Sequence, residues 1–409
     1  MKSISGSGRA PWVAILVAAL GYFVDVYDIW LFASVRKASL AGLGVSEADM
    51  KHVGEFLQNW QMGGFILGAI LFGVIADKRG RLAVLFSSIL VYSIANIANG
   101  FVHSVDAYAF WRFIAGVGLA GELGAGVALV SELVEKNSRG WATTFVATVG
   151  VLGSVAAPIV AQLVGDWRVN YWIGGGMGLA LLAMRIGVFE SGMFDKVKDR
   201  DDVKRGDFGM LFRSGERFRR FLATTLVGAP VWYFAGLIMV FGDALQKELG
   251  ITDPFAAPKV IAIAALGLSI GDVLFGGLSQ LMKSRKRAFL LAFAWMTLGV
   301  IGIFTLAKDR GTFYWLMFFC GLGAGYWAVF VTTAGETFGT NCRGTVATTA
   351  PSFVRGLVIP MTMARQVLEP KIGYLGSLKL IGGVVLALAL WALWVLPETY
   401  GRDLDFVEA

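Results

Sequence analysis

Apolar runs of about 20 residues, divided by short polar stretches, make up most of this 409-residue chain. There are twelve, near 12–35, 53–76, 82–102, 107–132, 141–164, 171–189, 221–245, 257–281, 287–307, 312–335, 346–368 and 372–396. Each is long enough to cross ~30 Å of hydrocarbon at 1.5 Å per residue. The pattern predicts an all-α membrane protein with twelve transmembrane helices. The first run is too long for a signal-peptide core and carries two Asp, so it is read as a retained span.

A repeat organises the spans. Residues 111–144 return 204 positions later at 315–348, so that Trp111, Gly121, Glu132, Arg139, Gly140 and Thr144 fall on Trp315, Gly325, Glu336, Arg343, Gly344 and Thr348. Two pseudo-symmetric six-helix halves around a shared site are the expected arrangement. The widest polar break is rich in both charge signs, and it divides the chain into an N-terminal half at 1–189, a linker at 190–220 and a C-terminal half at 221–409.

Composition supports a polytopic membrane chain: 56% apolar and 16% charged, with 53 Gly, about double the ~7% of ordinary proteins. Small residues let helix backbones approach where lipid supplies no hydrophobic drive. The net charge of +7 is read as loop charge that sets topology rather than as a nucleic-acid surface. With both termini inside, the cytoplasmic segments hold 22 Lys and Arg, the opposite side 10, and four lie within spans. An integral protein of a bacterial inner membrane with cytoplasmic ends is expected. Two Cys and two His offer no metal-ligand cluster or disulfide framework, and no G-x-x-x-x-G-K-[ST] loop is present. No cofactor, no metal and no enzyme chemistry are expected.

Between the second and third spans stands GVIADKRGRL, with Asp77, Gly80 and Arg81; its echo GGLSQLMKSRKR keeps Gly277 and Arg285 but has Leu281 at the Asp position. With the twin Glu-x6-Arg-Gly strings and the tail PETYGR at 397–402, these features resemble the major facilitator superfamily along the whole chain. The resemblance implies a cytoplasmic gate of Asp77, Arg81, Glu132 and Arg139, with Arg285, Glu336 and Arg343 as a weaker twin. DVYDIWLF at 25–32 and RFIAGVGLAGEL at 112–123 look like the proton symporters of aromatic acids, related metabolites and phosphate, with Asp25, Asp28 and Glu122 at the matching positions. Leu123 and Gly124 depart from the Tyr and Pro usual there, which speaks against phosphate. Sugar porters share an Asp in the first helix, Arg at the Arg112 position and the tail, yet the seventh run, APVWYFAGLIMV, lacks their Gln and Asn pairs.

Charges inside spans each cost ~2.5–3.5 kcal/mol on insertion scales and so usually face a cavity or a partner. Asp25 and Asp28 share one helical face with Tyr22 a turn earlier, while Arg112 and Glu122 lie ten residues apart on the fourth span. Asp25, Asp28, Arg112 and Glu122 are the expected proton-coupling residues, with Tyr22 expected on the substrate side: Asp28 pairs with Arg112 in one state, and Asp25 or Glu122 carries the proton. Arg355 lies about ten residues into the eleventh span, where an anionic substrate would give it a bidentate partner. Asp272 in the eighth span competes as a structural partner, and Arg365 is expected to snorkel outward. Trp232, Tyr233, Tyr326 and Trp327 are too deep for an interfacial belt and could wall a planar substrate, with Pro230 and Pro360 as kinks.

The expected function is secondary active transport by alternating access, a monomer taking up a small organic anion with protons and binding no nucleic acid. Exchange, facilitated diffusion or symport of a neutral metabolite such as a sugar remain open, as does a transporter-like receptor or sensor.

Overall fold

The computed structural model describes residues 10–122, 139–190, 208–253 and 257–402, with side chains at all but a few positions, among them 76–82, 139–144 and 340–344. Every regular element in this set is helical. The first half contributes α1 (Ala10–Gly42), α2 (Met50–Asn99), α3 (Val105–Leu119), α4 (Arg139–Val164) and α5 (Trp167–Glu190). A short 3-10 turn, Phe208–Leu211, precedes the second half. There α6 (Gly215–Tyr233) leads through a π-helical segment, Phe234–Met239, into α7 (Gly242–Glu248). The chain ends with α8 (Ala257–Leu281), α9 (Arg285–Leu306), α10 (Arg310–Ala324), α11 (Trp327–Thr337), α12 (Thr340–Gly356) and α13 (Val358–Val395).

Among the described residues, seven helical stretches, two of them each joining two of these helices, meet length and hydropathy requirements for a membrane span, and several carry more or less than one crossing. Gly121 meets both Phe72 and Ser88, which a straight helix would hold ~24 Å apart. The long α2 therefore doubles back and supplies the second and third spans. At the other end of the chain, Gly373 takes a left-handed φ of 73° inside α13 and separates the eleventh span from the twelfth. The tenth span is split between α10 and α11. The eleventh span is interrupted at Leu357 between α12 and α13, and Pro360 sits in the first turn after that break, where its missing N–H has no helical role.

Chain direction puts residues 76–82, 282–284 and 396–402 at one end of the bundle, here the basic end, and residues 43–49, 100–104, 249–253 and 307–309 at the far end. Within the first half α1 packs on α4 and α5, and α2 on α3; within the second, α8 packs on α10 and α6 on α13. Across the halves α4 meets α8 and α2 meets α12. At mid-depth these seams bring α1 to the end of α6, where Trp30 stacks on Trp232, and to the start of α11, where Tyr22 sits by Trp327.

Candidate functional site

The central site forms where α1 of the first half faces α12, α11 and the end of α6. Arg355 of α12 is 3% exposed, and its guanidinium lies 4.5 Å from the Phe65 ring, 5.9 Å from Trp232 and 6.0 Å from Trp327. Such contacts are worth ~0.5–2 kcal/mol each, too little to replace the hydration of a cation. Its Nε has no hydrogen-bond partner among the described residues, and it forms no ion pair with Asp272. Asp25, on the facing helix, is the carboxylate whose charge acts on it most strongly, followed by the Tyr22 hydroxyl. Both oxygens of Asp25 are fully buried and accept no hydrogen bond from the described residues. The site thus holds one cation and one facing carboxylate, walled by π-faces.

Of the four aromatics expected here, the fold delivers two. Trp232 and Trp327 meet edge to face at 6.5 Å, and Trp232 stacks on Trp30 of α1 at 6.4 Å and 5°. Tyr233 turns the other way and donates to the Leu378 carbonyl of α13 at 2.9 Å. Tyr326 donates to the Val227 carbonyl at 3.0 Å and packs edge-on against Phe289 and Phe293. Consecutive residues on a helix point about 100° apart, so Trp232 and Tyr233 cannot serve the same wall. Tyr22 sits against Trp327.

The first half buries a second group of charges beside this site. Asp28, 1% exposed, has both oxygens unpartnered among the described residues and lies within the field of Asp25 and Arg112. Arg112 makes no ion pair with it. Its guanidinium instead donates to Gln61 and, at 3.4 Å, to the Tyr171 hydroxyl, and stacks 4.2 Å over Phe32. Glu122 is gripped at both oxygens by Arg185 of α5, one contact at 3.0 Å, with the Ser88 hydroxyl at 3.5 Å.

At the far end, ion pairs join the halves. Glu55 of α2 accepts from Arg365 of α13 at 2.5 Å and from Gln366 at 2.9 Å. Arg365 also bonds Glu369, which in turn meets Lys51 of the first half. Arg36 and Lys37 of α1 both reach Asp243 of α7. Arg365 is therefore not a snorkelling side chain: it is 1% exposed, and two carboxylates meet it within the protein, Glu369 one turn along its own helix and Glu55 from the other half. Between this layer and the central site lies the Trp30–Trp232 stack, and Gln58 donates to the Gly236 carbonyl at 3.1 Å.

At the basic end, Arg285 holds Glu336 at 2.9 Å within the second half, and Thr399 adds a hydrogen bond to Glu336 at 2.8 Å. Glu398 of the tail caps α9: burial pushes its carboxyl up, but hydrogen bonds from Ser284 and the backbone of Tyr400, Arg285 and Lys286 outweigh it and hold it below the usual range. Glu132 and the side chains of Asp77, Arg81, Arg139 and Arg343 lie outside the described residues.

Sequence reasoning missed Trp30, Phe65, Gln61, Tyr171, Arg185 and the far-end partners Glu55 and Asp243. Arg185, Glu55 and Asp243 carried one usable signal, a charge within an apolar run. The others are ordinary polar or aromatic residues of spans, identifiable only from what they face.

A twelve-span bundle in two halves, with buried charge facing across their seam at mid-depth, is the architecture of a membrane solute transporter rather than an enzyme. The family model for the Major Facilitator Superfamily matches residues 18–363, and the chain belongs to that family. It is 25% identical to the probable 4-methylmuconolactone transporter of Cupriavidus pinatubonensis, over 94% of this chain and 90% of that one. It is also 25% identical to the gentisate transporter of Corynebacterium glutamicum, over 97% and 91%. Among solved structures a D-xylose–proton symporter superposes with a TM-score of 0.71 at 17% identity, covering 96% of this chain and 99% of that one.

Proposed function

We propose that this protein is a proton-coupled symporter of a ring-bearing carboxylate. The observation that carries the reading is Arg355: a buried cation with no ion-pair partner among the described residues, walled by Phe65, Trp232 and Trp327. A carboxylate supplies the bidentate partner that Arg355 lacks, and a flat ring fills the space between indoles. The named cargoes of the two relatives, gentisate and 4-methylmuconolactone, are both ring-bearing acids, which supports the same class here.

Coupling follows from Asp25. When ionised it faces Arg355 across the seam and competes with a substrate carboxylate for the same cation; when protonated it leaves that cation to the substrate. Proton and anion then bind together or not at all, the condition for symport. Asp28, beside Arg112, is the second titratable group of this reading, whereas Glu122 is assigned a fixed ion pair with Arg185. Residues 1–189 and 221–409 act as the rocking halves about 190–220, as a monomer in a bacterial inner membrane with cytoplasmic ends. The far-end ion pairs then close the outer side, and the basic end carries the gate expected from Asp77, Arg81, Glu132, Arg139, Arg285, Glu336 and Arg343.

Purified protein in liposomes, given an inward proton gradient and labelled gentisate, benzoate and nicotinate, tests this directly. Accumulation that a protonophore abolishes is the expected result. Equilibration indifferent to the gradient would make it a facilitator, flux that requires trapped internal anion an exchanger, and binding without flux a sensor.

A further inference from the structure

The tenth span breaks at mid-depth. Helix α10 ends at Ala324, Gly325 and Tyr326 leave helical geometry, and α11 restarts at Trp327. A restart exposes the first backbone N–H groups of the new helix, and in hydrocarbon no water satisfies them. Here the partner is Asp272 of α8. Its Oδ1 accepts from the Ala328 N–H at 2.8 Å, and the Trp327 N–H lies beside the same carboxylate. The approach is close because a glycine stands at the break: a methyl on Gly325 would press into the α8 backbone at Leu268, Gly271 and Asp272. The negative charge also meets the positive end of the α11 dipole.

The repeat places no carboxylate at the matching position of the first half: Gly121 stands 204 residues before Gly325, and the position 204 residues before Asp272 is Gly68. The α11 start fixes which way residue 327 points, and the Trp327 ring lies 6.0 Å from the Arg355 guanidinium, 6.5 Å from Trp232 and against Tyr22.

We infer that Asp272 is a positioning residue for the central site: by holding the α11 N-terminus it sets Trp327 as the aromatic wall beside Arg355 and so determines selectivity for ring-bearing anions. It neither neutralises Arg355 nor carries a transported proton. The inference rests on the reading of Arg355 as the anion grip, and its test separates the two.

Full-length protein in liposomes is compared as wild type, Asp272→Asn, Asp272→Leu and Arg355→Gln. Asn keeps the acceptor oxygen without the charge; Leu keeps the size without the acceptor. Hydrogen–deuterium exchange at Trp327 and Ala328 is expected to quicken at least about tenfold in D272L and to stay within about threefold of wild type in D272N. For whichever of gentisate, benzoate and nicotinate the wild type takes up, KM is expected to rise about tenfold in D272L, with Vmax and the pH profile retained, and to be near wild type in D272N. If D272L is not recovered from membranes, Asp272→Ser, with a shorter acceptor, is expected to fall between D272N and that loss in both exchange and KM. Collapse of D272N, or a shifted pH profile in it, would overturn the inference in favour of a charge or proton role. Wild-type exchange and KM in D272L, or in D272S where it stands in, would also sink it. An unchanged KM in R355Q beside faster exchange in D272L would leave the cap intact and remove the anion grip.

Discussion

The two halves share a fold and divide their buried charge unequally. In the first half, Asp25, Asp28, Arg112, Glu122 and Arg185 crowd the interior, and only the last two form an ion pair with each other. In the second, Arg355 and Asp272 sit at similar depth without touching, one facing the seam and the other committed to a helix start. The lesson is that a duplicated scaffold can keep its packing while its polar groups diverge, because small residues at the helix contacts do the packing and leave inward positions open to change. The proposed function divides the work in the same way, with proton handling in the first half and substrate grip in the second.

The largest expected effect tests that division at Arg355. Arg355→Gln should lower the initial rate of substrate uptake by about a hundredfold, the scale of a lost charge-assisted contact of ~3 kcal/mol. Comparable uptake in the variant would remove the second half's claim to the substrate. Asp25→Asn should bring the accumulation ratio in a proton gradient down to about one while leaving counterflow of labelled for unlabelled substrate intact. If it still accumulates substrate, the first half does not carry the coupling through Asp25.

How the halves are joined gives the next step down. Glu55→Gln leaves Arg365 with one carboxylate in place of two, and only while the far end is closed. Losing one of two charge-assisted contacts costs ~1.5–3 kcal/mol, so the ratio of far-end closed to open molecules should fall by about tenfold or more. Spin labels on Glu47 and Thr252, read by pulsed dipolar spectroscopy, should then show a longer distance; an unmoved distribution would mean that the pairs are incidental. Within the first half, Glu122→Gln should lower the thermal midpoint in detergent by a few degrees, since Arg185 keeps its burial and loses its counter-charge. Its uptake should keep the wild-type pH profile, and a shifted profile would return Glu122 to the proton path.

The smallest effect is at the basic end of the second half. The Glu398 carboxyl is held below its usual range in the folded protein, so its contribution is present above the ordinary carboxylate range and is lost as pH falls through the lowered value. Glu398→Gln should therefore reduce the midpoint slightly at pH 7 and by less at pH 3. Equal sensitivity at both pH values would mean that Glu398 does not act through its charge.

The spans were legible because hydrocarbon thickness imposes a length and excludes unpaired backbone, and Gly373 turns the chain within a residue or two of the expected boundary at 372. The membrane depth of Arg355 and Trp232 could likewise be counted along their helices. Partners could not be counted. Glu122 is 63 residues from Arg185 and Glu55 is 310 from Arg365, and neither separation follows from a helical period. Asp272 eluded the reading for a different reason: its partner is backbone freed by a broken helix, and an apolar run that continues through 325 and 326 does not announce the break. Tyr233 shows the limit of depth alone, since it lies at the level of Trp232 and faces the twelfth span.

One element remains whose shape has mechanical meaning. Between Trp232, which walls the site, and Asp243, which meets Arg36, the seventh span is wound as a π-helix over Phe234–Met239, with the Val240 N–H reaching back to Ala235. Such a segment holds one residue more than an α-helix of the same rise. Were it to tighten, everything beyond would swivel by roughly the 100° of one residue, carrying Asp243 off Arg36 while leaving Trp232 in place. The seventh span thus carries one extra residue of winding between the far-end ion pair and the wall of the central site, the place where a change of twist would turn one without the other.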